Sequence, residues 1–189
     1  MSKIEKISDE ELVVLVRTKD QELYVNLVNR YKDKLFRYAV KLIRDEHKAL
    51  DVVQEAFIKA FINLNGFNAN KKFSSWIYRI VHNEAINYVK KHSREISLED
   101  NEWVQNIVKV EDDLGAKVDR EEAVQLLKKF LFELPLKYRS PLILFYMHDK
   151  PYEEISDVLR MPIGTVGTRI NRGKKLLKAL YIGEDKYYD

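Results

Sequence analysis

The sequence predicts an all-α protein with two small helical domains joined by an acidic linker. Apolar residues recur three or four positions apart along most of the chain, and strand-like alternation is rare. Only 6 glycines and 4 prolines interrupt the 189 residues, which favours helices over a turn-rich fold. Charge is uneven, with a net of +6 over residues 1–94, −7 over residues 95–122 and +4 over residues 123–189. Two basic blocks that flank an acidic one indicate a polyanionic partner such as nucleic acid.

The residue types present disfavour several classes of protein. The chain has no cysteine, which excludes disulfides and thiolate metal sites, and its four histidines lack the spacing of a ligand set. It has no glycine-rich phosphate loop and no nucleophile beside a base, so we predict no catalytic residue, metal or cofactor. The N-terminal segment lacks the apolar core of a signal peptide, and no apolar run approaches the roughly 20 residues that span a bilayer. We therefore expect a cytoplasmic protein without membrane insertion.

The first predicted domain covers residues 8–93 and contains four helices. Apolar residues at helical spacing predict three of these helices, at 9–19, 20–44 and 47–64. A short polar loop, residues 67–72, precedes the fourth helix. One face of that helix is apolar and is expected to enter the core, and it consists of Phe73, Trp76, Ile77, Ile80, Val81, Ala85, Tyr88 and Val89.

An acidic segment, residues 94–120, separates this domain from a second one at 121–182. The segment has no sustained helical period, and its composition alone fits an ordinary solvated linker. In the second domain the helical period resumes, and one helix is expected at about 136–147. The last stretch, 152–180, breaks at Arg160-Met161-Pro162, which predicts a short helix, a turn and a longer helix.

A short helix, a three-residue break and a basic helix are typical of a helix-turn-helix, although a plain helical hairpin has the same pattern. Ile155 and Val158 of the first helix can pack on Val166 of the second. If the second helix reads DNA, its N-terminal part would meet base edges and its basic part would meet phosphates. The candidate residues on this helix are Thr165, Thr168, Arg169, Arg172, Lys174 and Lys175.

The second domain contains Leu134-Pro135, Tyr138-Arg139, the run YEEI at 152–155 and the run PIGTV at 162–166. Together these motifs resemble region 4 of the sigma-70 family, and in particular its extracytoplasmic-function (ECF) group. The resemblance implies that the helix-turn-helix reads the −35 promoter element and that the domain binds the flap of the RNA polymerase β subunit. Two positions depart from the family pattern, because Gly167 stands where a basic residue is usual and Arg160 where glycine is usual.

In the first domain, the stretch DVVQEAF at 51–57 resembles sigma region 2.2. Asp51, Gln54, Glu55 and Ile58 are spaced to lie along one side of a helix. The resemblance implies that this side binds the coiled coil of the polymerase β′ subunit, with polar and acidic groups meeting a basic partner helix. By itself the motif also fits an acidic face that only makes the helix soluble.

The stretch FSSWIYRIVHN at 73–83 resembles sigma regions 2.3 and 2.4, which recognise the −10 element while its strands separate. Exposed bases need stacking and hydrogen-bonding partners, and lysine and arginine hold the single-strand backbone. The resemblance implies that the loop 67–72 captures a flipped base. It also makes the polar side of the helix, where His82 is expected to be exposed, a DNA face. The candidates are Phe67, Asn68, Lys71, Lys72, Arg79, His82, Asn83, Asn87 and Lys90, with Phe67 either a lid on the core or a wall of the base pocket.

The leading hypothesis is an ECF sigma factor that binds core RNA polymerase and directs promoter-specific initiation. The family resemblance also implies an anti-sigma factor as a partner. The alternative is a helix-turn-helix regulator that binds operators without being a polymerase subunit, for which the aromatic and basic stretch 67–92 would be surplus. An enzyme is the least favoured class, since no catalytic constellation is present in the sequence.

Overall fold

The computed structural model describes residues 7–92 and 119–185, with side chains up to residue 182. Regular structure in these ranges is helical throughout, which confirms the all-α prediction. The α-helices are α1 (Asp9–Thr18), α2 (Tyr24–Ile43), α3 (Glu46–Ile62), α4 (Phe73–His92), α5 (Arg120–Phe130), α6 (Leu136–Met147), α7 (Tyr152–Leu159) and α8 (Ile163–Asp185). Contacts between Cα atoms divide the chain into two compact units, Met1–Tyr88 and Val89–Asp189.

Side-chain caps set the helix limits in the first unit. Ser8 and Glu11 form a capping box at the start of α1, and Asp45 accepts a hydrogen bond from the Lys48 amide at the start of α3. The predicted helix 20–44 begins only at Tyr24, because the Asp20 side chain accepts a hydrogen bond from the Glu22 amide and forms a 3₁₀ turn at Gln21–Leu23. The helix that was expected to reach residue 64 ends at Ile62, and a second 3₁₀ turn, Leu64–Gly66, follows it.

The core of the first unit lies where α2 packs against α3 and α4. Edge-to-face and tilted ring pairs join Tyr31 to Phe73 and Tyr38 to Tyr78, which connects α2 to α4. Fully buried apolar side chains from each helix complete this core, among them Leu12, Leu27, Leu35, Ala49, Ala56, Ile77 and Val81.

The core of the second unit forms around α8, which packs against α5, α6 and α7. Helix α7 ends at Leu159, and the backbone turns at Arg160, whose φ of 50° is left-handed. Pro162 then precedes α8, and its carbonyl accepts hydrogen bonds from the Thr165 and Val166 amides. This is the predicted helix, turn and helix, held from within by buried residues that include Ile155, Val158, Val166 and Ile170.

No helix within residues 7–92 or 119–185 combines the length and the apolar character that crossing a membrane requires.

Candidate functional site

A mixed polar and apolar face of α3 is the first candidate surface. Asp51, Gln54 and Glu55 are exposed, and Ile58 is 55% exposed although it is apolar. The opposite side of the helix carries the buried residues that pack on α2, so the exposed side is turned away from the core. An exposed isoleucine among carboxylates and an amide is suited to a protein partner that supplies both apolar area and basic groups.

Two further apolar residues belong to this α3 face. Leu50 is 48% exposed and Ile62 is 71% exposed. With Gln54 and Ile58 they form one row at a spacing of four residues, which is the spacing that lines side chains up on a helix. Sequence reasoning missed both, although this spacing was the available signal. Phe61, one residue before Ile62, is also 41% exposed, and its ring centroid lies 5.0 Å from that of Tyr24.

The loop 67–72 is a compact polar turn with lysines at its end. The Asn68 side chain accepts a hydrogen bond from the Asn70 amide at 2.9 Å, and the Asn68 carbonyl accepts one from the Lys71 amide at 2.9 Å. Asn68, Lys71 and Lys72 are exposed. Their side chains are therefore accessible at the point where the loop meets α4.

Phe67 at the start of this loop lies in the core, with only 5% of its surface exposed. Its ring centroid is 5.7 Å from that of Phe73 and 5.1 Å from that of Trp76. Of the two roles left open for Phe67, its position in the structure agrees with a lid on the core. The wall of a base pocket does not fit this arrangement, because the ring already packs against two aromatic neighbours beneath the loop.

One side of α4 presents a polar row. Asn83, Asn87 and Lys90 are exposed, and Arg79 is half-buried at the beginning of the row. Glu84 beside it binds the Lys59 ammonium of α3 at 2.8 Å, so α3 and α4 are linked at this level. Two amides and two cationic groups in one line are the donors and acceptors that a single nucleic-acid strand requires.

His82 does not belong to this exposed row, so the expectation of an exposed side chain was wrong. The Nδ1 atom lies 2.9 Å from the Tyr38 hydroxyl, and the two rings stack with a centroid distance of 6.2 Å. Burial lowers the pKa of His82 to about 4. The reason is its position on the helix, four residues after Tyr78 and three before Ala85, which are both buried.

Helix α8 carries the predicted cationic face of the second unit. Thr168, Arg172 and Lys175 are exposed, and Thr165 and Arg169 are half-buried on the same side. Lys174 is half-buried, and at about 100° per residue it falls on a different side of the helix from the other five. The structure therefore brings five of the six candidates together and separates Lys174 from them.

The two unusual positions of the helix-turn-helix have structural reasons. A side-chain Cβ atom at Gly167 would lie 3.3 Å from Cε2 of Tyr152, so glycine there lets α7 and α8 approach closely. Arg160 has the left-handed backbone that glycine adopts without strain, which agrees with a position where glycine is usual. Next to it, the Ser156 hydroxyl donates a hydrogen bond to the Met161 carbonyl at 2.6 Å and holds the turn.

Among the residues that the structure describes, no three His, Asp or Glu side chains lie close enough together to hold a metal ion.

Comparison with known proteins gives these surfaces a family context. The model of Sigma-70 region 2 matches residues 27–95, and the model of Sigma-70, region 4 matches residues 125–177. The chain is 32% identical over 170 residues to the ECF RNA polymerase sigma factor SigW of Bacillus subtilis, covering 86% of this chain and 91% of SigW.

Two solved structures share the fold. CnrH, solved in complex with the cytosolic domain of CnrY, has a TM-score of 0.69 and 22% identity, covering 93% of this chain and 97% of CnrH. The sigma factor RpoE from Bartonella quintana, solved with the anti-sigma factor NepR, has a TM-score of 0.62 and 24% identity, covering 84% of this chain and 96% of RpoE. With both family regions present in order and the SigW similarity extending over most of its length, the chain belongs to the ECF group of the sigma-70 family of RNA polymerase sigma factors.

Proposed function

We propose that this sigma factor binds core RNA polymerase through the exposed face of α3, defined by Asp51, Gln54, Glu55 and Ile58. The observation that carries the proposal is the exposure of Ile58 among polar and acidic side chains on a helix whose opposite side is buried. Apolar area costs free energy in water, and a basic partner helix such as the coiled coil of the β′ subunit would cover it and pair with the carboxylates.

The DNA-directed part of the proposal assigns one element in each unit. The loop 67–72 and the polar row of α4 open and read the −10 element, and the cationic face of α8 reads the −35 duplex. Exposed Asn83 and Asn87 support base contacts by α4, and the exposed Arg172 and Lys175 support phosphate contacts by α8. Phe67 supports the loop from beneath without stacking on a base.

The proposal also covers the domain limits, the β flap and an anti-sigma factor. The domains are taken as residues 8–93 and 121–182, with 94–120 as the linker, and the second domain also binds the β flap. The two solved structures that share the fold are complexes, one with the cytosolic domain of CnrY and one with the anti-sigma factor NepR, which supports an anti-sigma partner here. We further propose that the protein acts in the cytoplasm and catalyses no reaction itself.

Transcription in vitro tests this function. Purified protein is mixed with bacterial core RNA polymerase and fragmented genomic DNA from the source organism, and RNA 5′ ends are mapped. We expect discrete start sites that share two upstream elements and disappear when the protein is omitted. Duplex binding by the protein alone, without any start sites, would contradict the proposal and favour an operator-binding regulator.

A further inference from the structure

We propose that helix α1 is a brace that fixes the loop 67–72, and that Arg17 and Glu10 are its positioning residues. The inference rests on the proposed function, because it concerns the loop assigned to the −10 element. Both residues precede the segment 27–95 that matches the region 2 model. The region 2 model therefore assigns them no role, and we infer one from their contacts in the folded chain.

Arg17 attaches the first end of the loop. Its Nη2 atom donates hydrogen bonds to the Leu64 carbonyl and, at 2.5 Å, to the Phe67 carbonyl. The guanidinium carbon also lies 5.9 Å from the centre of the Phe67 ring. One cationic group thus binds two backbone carbonyls and one aromatic face where the chain leaves α3, and charged donors make stronger hydrogen bonds than neutral ones.

Glu10 attaches the second end of the loop. Its Oε1 atom accepts a hydrogen bond from the Phe73 amide at 2.8 Å. Phe73 is the first residue of α4, and the first amides of a helix have no partner within the helix. A carboxylate at that point satisfies one of them and interacts favourably with the positive end of the helix dipole. The cap comes from a residue that is 63 positions away in sequence.

The two attachments come from one face of a helix that is itself held in place. Glu10 and Arg17 are seven residues apart, which is about two helical turns and about 10 Å along the axis. The Asp9 carboxylate accepts hydrogen bonds from Arg30, at 2.6 Å, and from the Tyr31 hydroxyl, and both partners are on α2. Leu12, Val13 and Val16 are buried on the inner side of α1. Helix α1 is therefore bonded both to α2 and to the two ends of the loop, so the position of the loop relative to α2 is fixed through α1.

A fixed loop lowers the cost of capturing a base. Ordering a mobile segment on binding costs conformational entropy. A segment that is already held at both ends loses most of that entropy when the protein folds, so less is lost on binding. Loss of the brace should thus slow promoter opening at saturating polymerase. It should leave polymerase binding unchanged, since neither positioning residue belongs to the α3 face.

The test uses the full-length protein with two pairs of variants and a matched control. Arg17→Met and Glu10→Ala remove the attachments, whereas Arg17→Lys keeps a cationic donor and Glu10→Gln keeps an acceptor for the Phe73 amide. Lys19→Met is the control, because it removes an exposed positive charge close to Arg17 on the same segment. Hydrogen exchange of the amides in residues 67–73 is measured in the free protein, and polymerase affinity is measured by titration with the core enzyme.

Opening is measured on a promoter found by start-site mapping, with 2-aminopurine in the non-template strand of its −10 element. We expect Arg17→Met and Glu10→Ala to exchange the loop amides about tenfold faster and to open the promoter about tenfold more slowly at saturating holoenzyme. We expect Glu10→Gln to stay within about threefold of the wild type, and polymerase affinity to change by less than about twofold.

Two results would overturn the proposal. One is a wild-type opening rate in variants whose loop amides exchange faster, and the other is an equal loss of opening in Lys19→Met. Glu10→Ala keeps the test valid if Arg17→Met fails to fold, because Glu10 is only half-buried and lies in the first turn of α1. Absence of start sites with the wild-type protein would instead contradict the proposed function, and the exchange measurement would still decide whether α1 positions the loop.

Discussion

Burial against α2 keeps the imidazole of His82 neutral at physiological pH. The ring makes its hydrogen bond to the Tyr38 hydroxyl, and burial lowers the pKa of His82 to about 4. An unfolded histidine has a pKa of about 6.5. The residue therefore contributes to α2–α4 packing as a neutral group, and protonation in the folded state is opposed by desolvation.

The sign of the resulting pH dependence follows from proton uptake. Between about pH 6.5 and pH 4 the unfolded state binds more protons at this site than the folded state, so the free energy of unfolding falls as the pH falls. We expect the contribution of His82 to be complete near pH 7 and to decrease by up to about 3 kcal/mol on approaching pH 4. Urea denaturation at several pH values between 4 and 7 gives the free energy of unfolding of the wild type and of His82→Gln. The difference between their pH dependences is the contribution of His82.

His47→Gln is the control for this prediction, because His47 is exposed near the start of α3. The free energy of unfolding of His47→Gln should change with pH as that of the wild type does. Parallel pH profiles for the wild type and His82→Gln would contradict the assignment of the acid sensitivity to His82.

At the scale of elements, the contact of α6 with α8 depends on a buried glycine. A Cβ atom at Gly173 would lie 2.6 Å from Cδ1 and 3.2 Å from Cγ of Leu142, and 3.4 Å from Cβ of Tyr138. Leu142 is fully buried, and in a close-packed interior a displaced side chain presses on its neighbours. Glycine at this position sets how closely the two helices approach.

Gly173→Ala should therefore destabilise the second unit although alanine is the better helix former. The propensity gain is about 1 kcal/mol, whereas overpacking a filled core costs about 1–3 kcal/mol. We expect the free energy of unfolding to fall by about 1 kcal/mol. Native-state hydrogen exchange of the slowest amides in α6 and α8 reports the stability of this unit separately.

Gly164→Ala is the matched control on the same helix. It is exposed, and a Cβ atom there would have no neighbour within 4 Å. Without a clash, the substitution should stabilise the unit by up to about 1 kcal/mol. If both glycine variants change the free energy of unfolding in the same direction, close packing of α6 on α8 is not what requires glycine at position 173.

At the scale of the whole molecule, polymerase binding and promoter opening are assigned to different faces of the first unit. We expect Asn83→Ala to slow promoter opening by about tenfold without weakening polymerase binding. We expect the double variant Asp51→Ala, Gln54→Ala to weaken polymerase binding by about tenfold or more, because polar groups at the centre of an interface carry much of its energy. Titration with core polymerase and fluorescence of a −10 base analogue measure the two steps.

Exposed residues of the same types on α2 supply the controls. Asn29→Ala and Asp33→Ala alter an amide and a carboxylate that lie on neither proposed face, and both variants should behave as the wild type. Loss of the same step to the same extent by the Asn83 variant and the α3 double variant would contradict the division of roles.

The sequence by itself determined the helical class, most helix limits and four members of the α3 face, Asp51, Gln54, Glu55 and Ile58. These properties depend on neighbours within about four residues, because helix periodicity, capping side chains and left-handed turn residues act locally. The start of α3, predicted at residue 47, is found at Glu46, and the chain breaks at Arg160-Met161-Pro162 as predicted. Of the predicted acidic linker 94–120, residues 94–118 lie outside the described residues.

The tertiary structure alone decided which polar and aromatic residues face solvent near the loop. Phe67 is buried by Phe73 and Trp76, and His82 is half-buried against Tyr38, which is 44 positions away. Arg17 and Glu10 reach loop residues 50 and 63 positions away. A periodic pattern records only which side of one helix is apolar, whereas these contacts depend on how α1, α2 and α4 pack together, which no local pattern encodes.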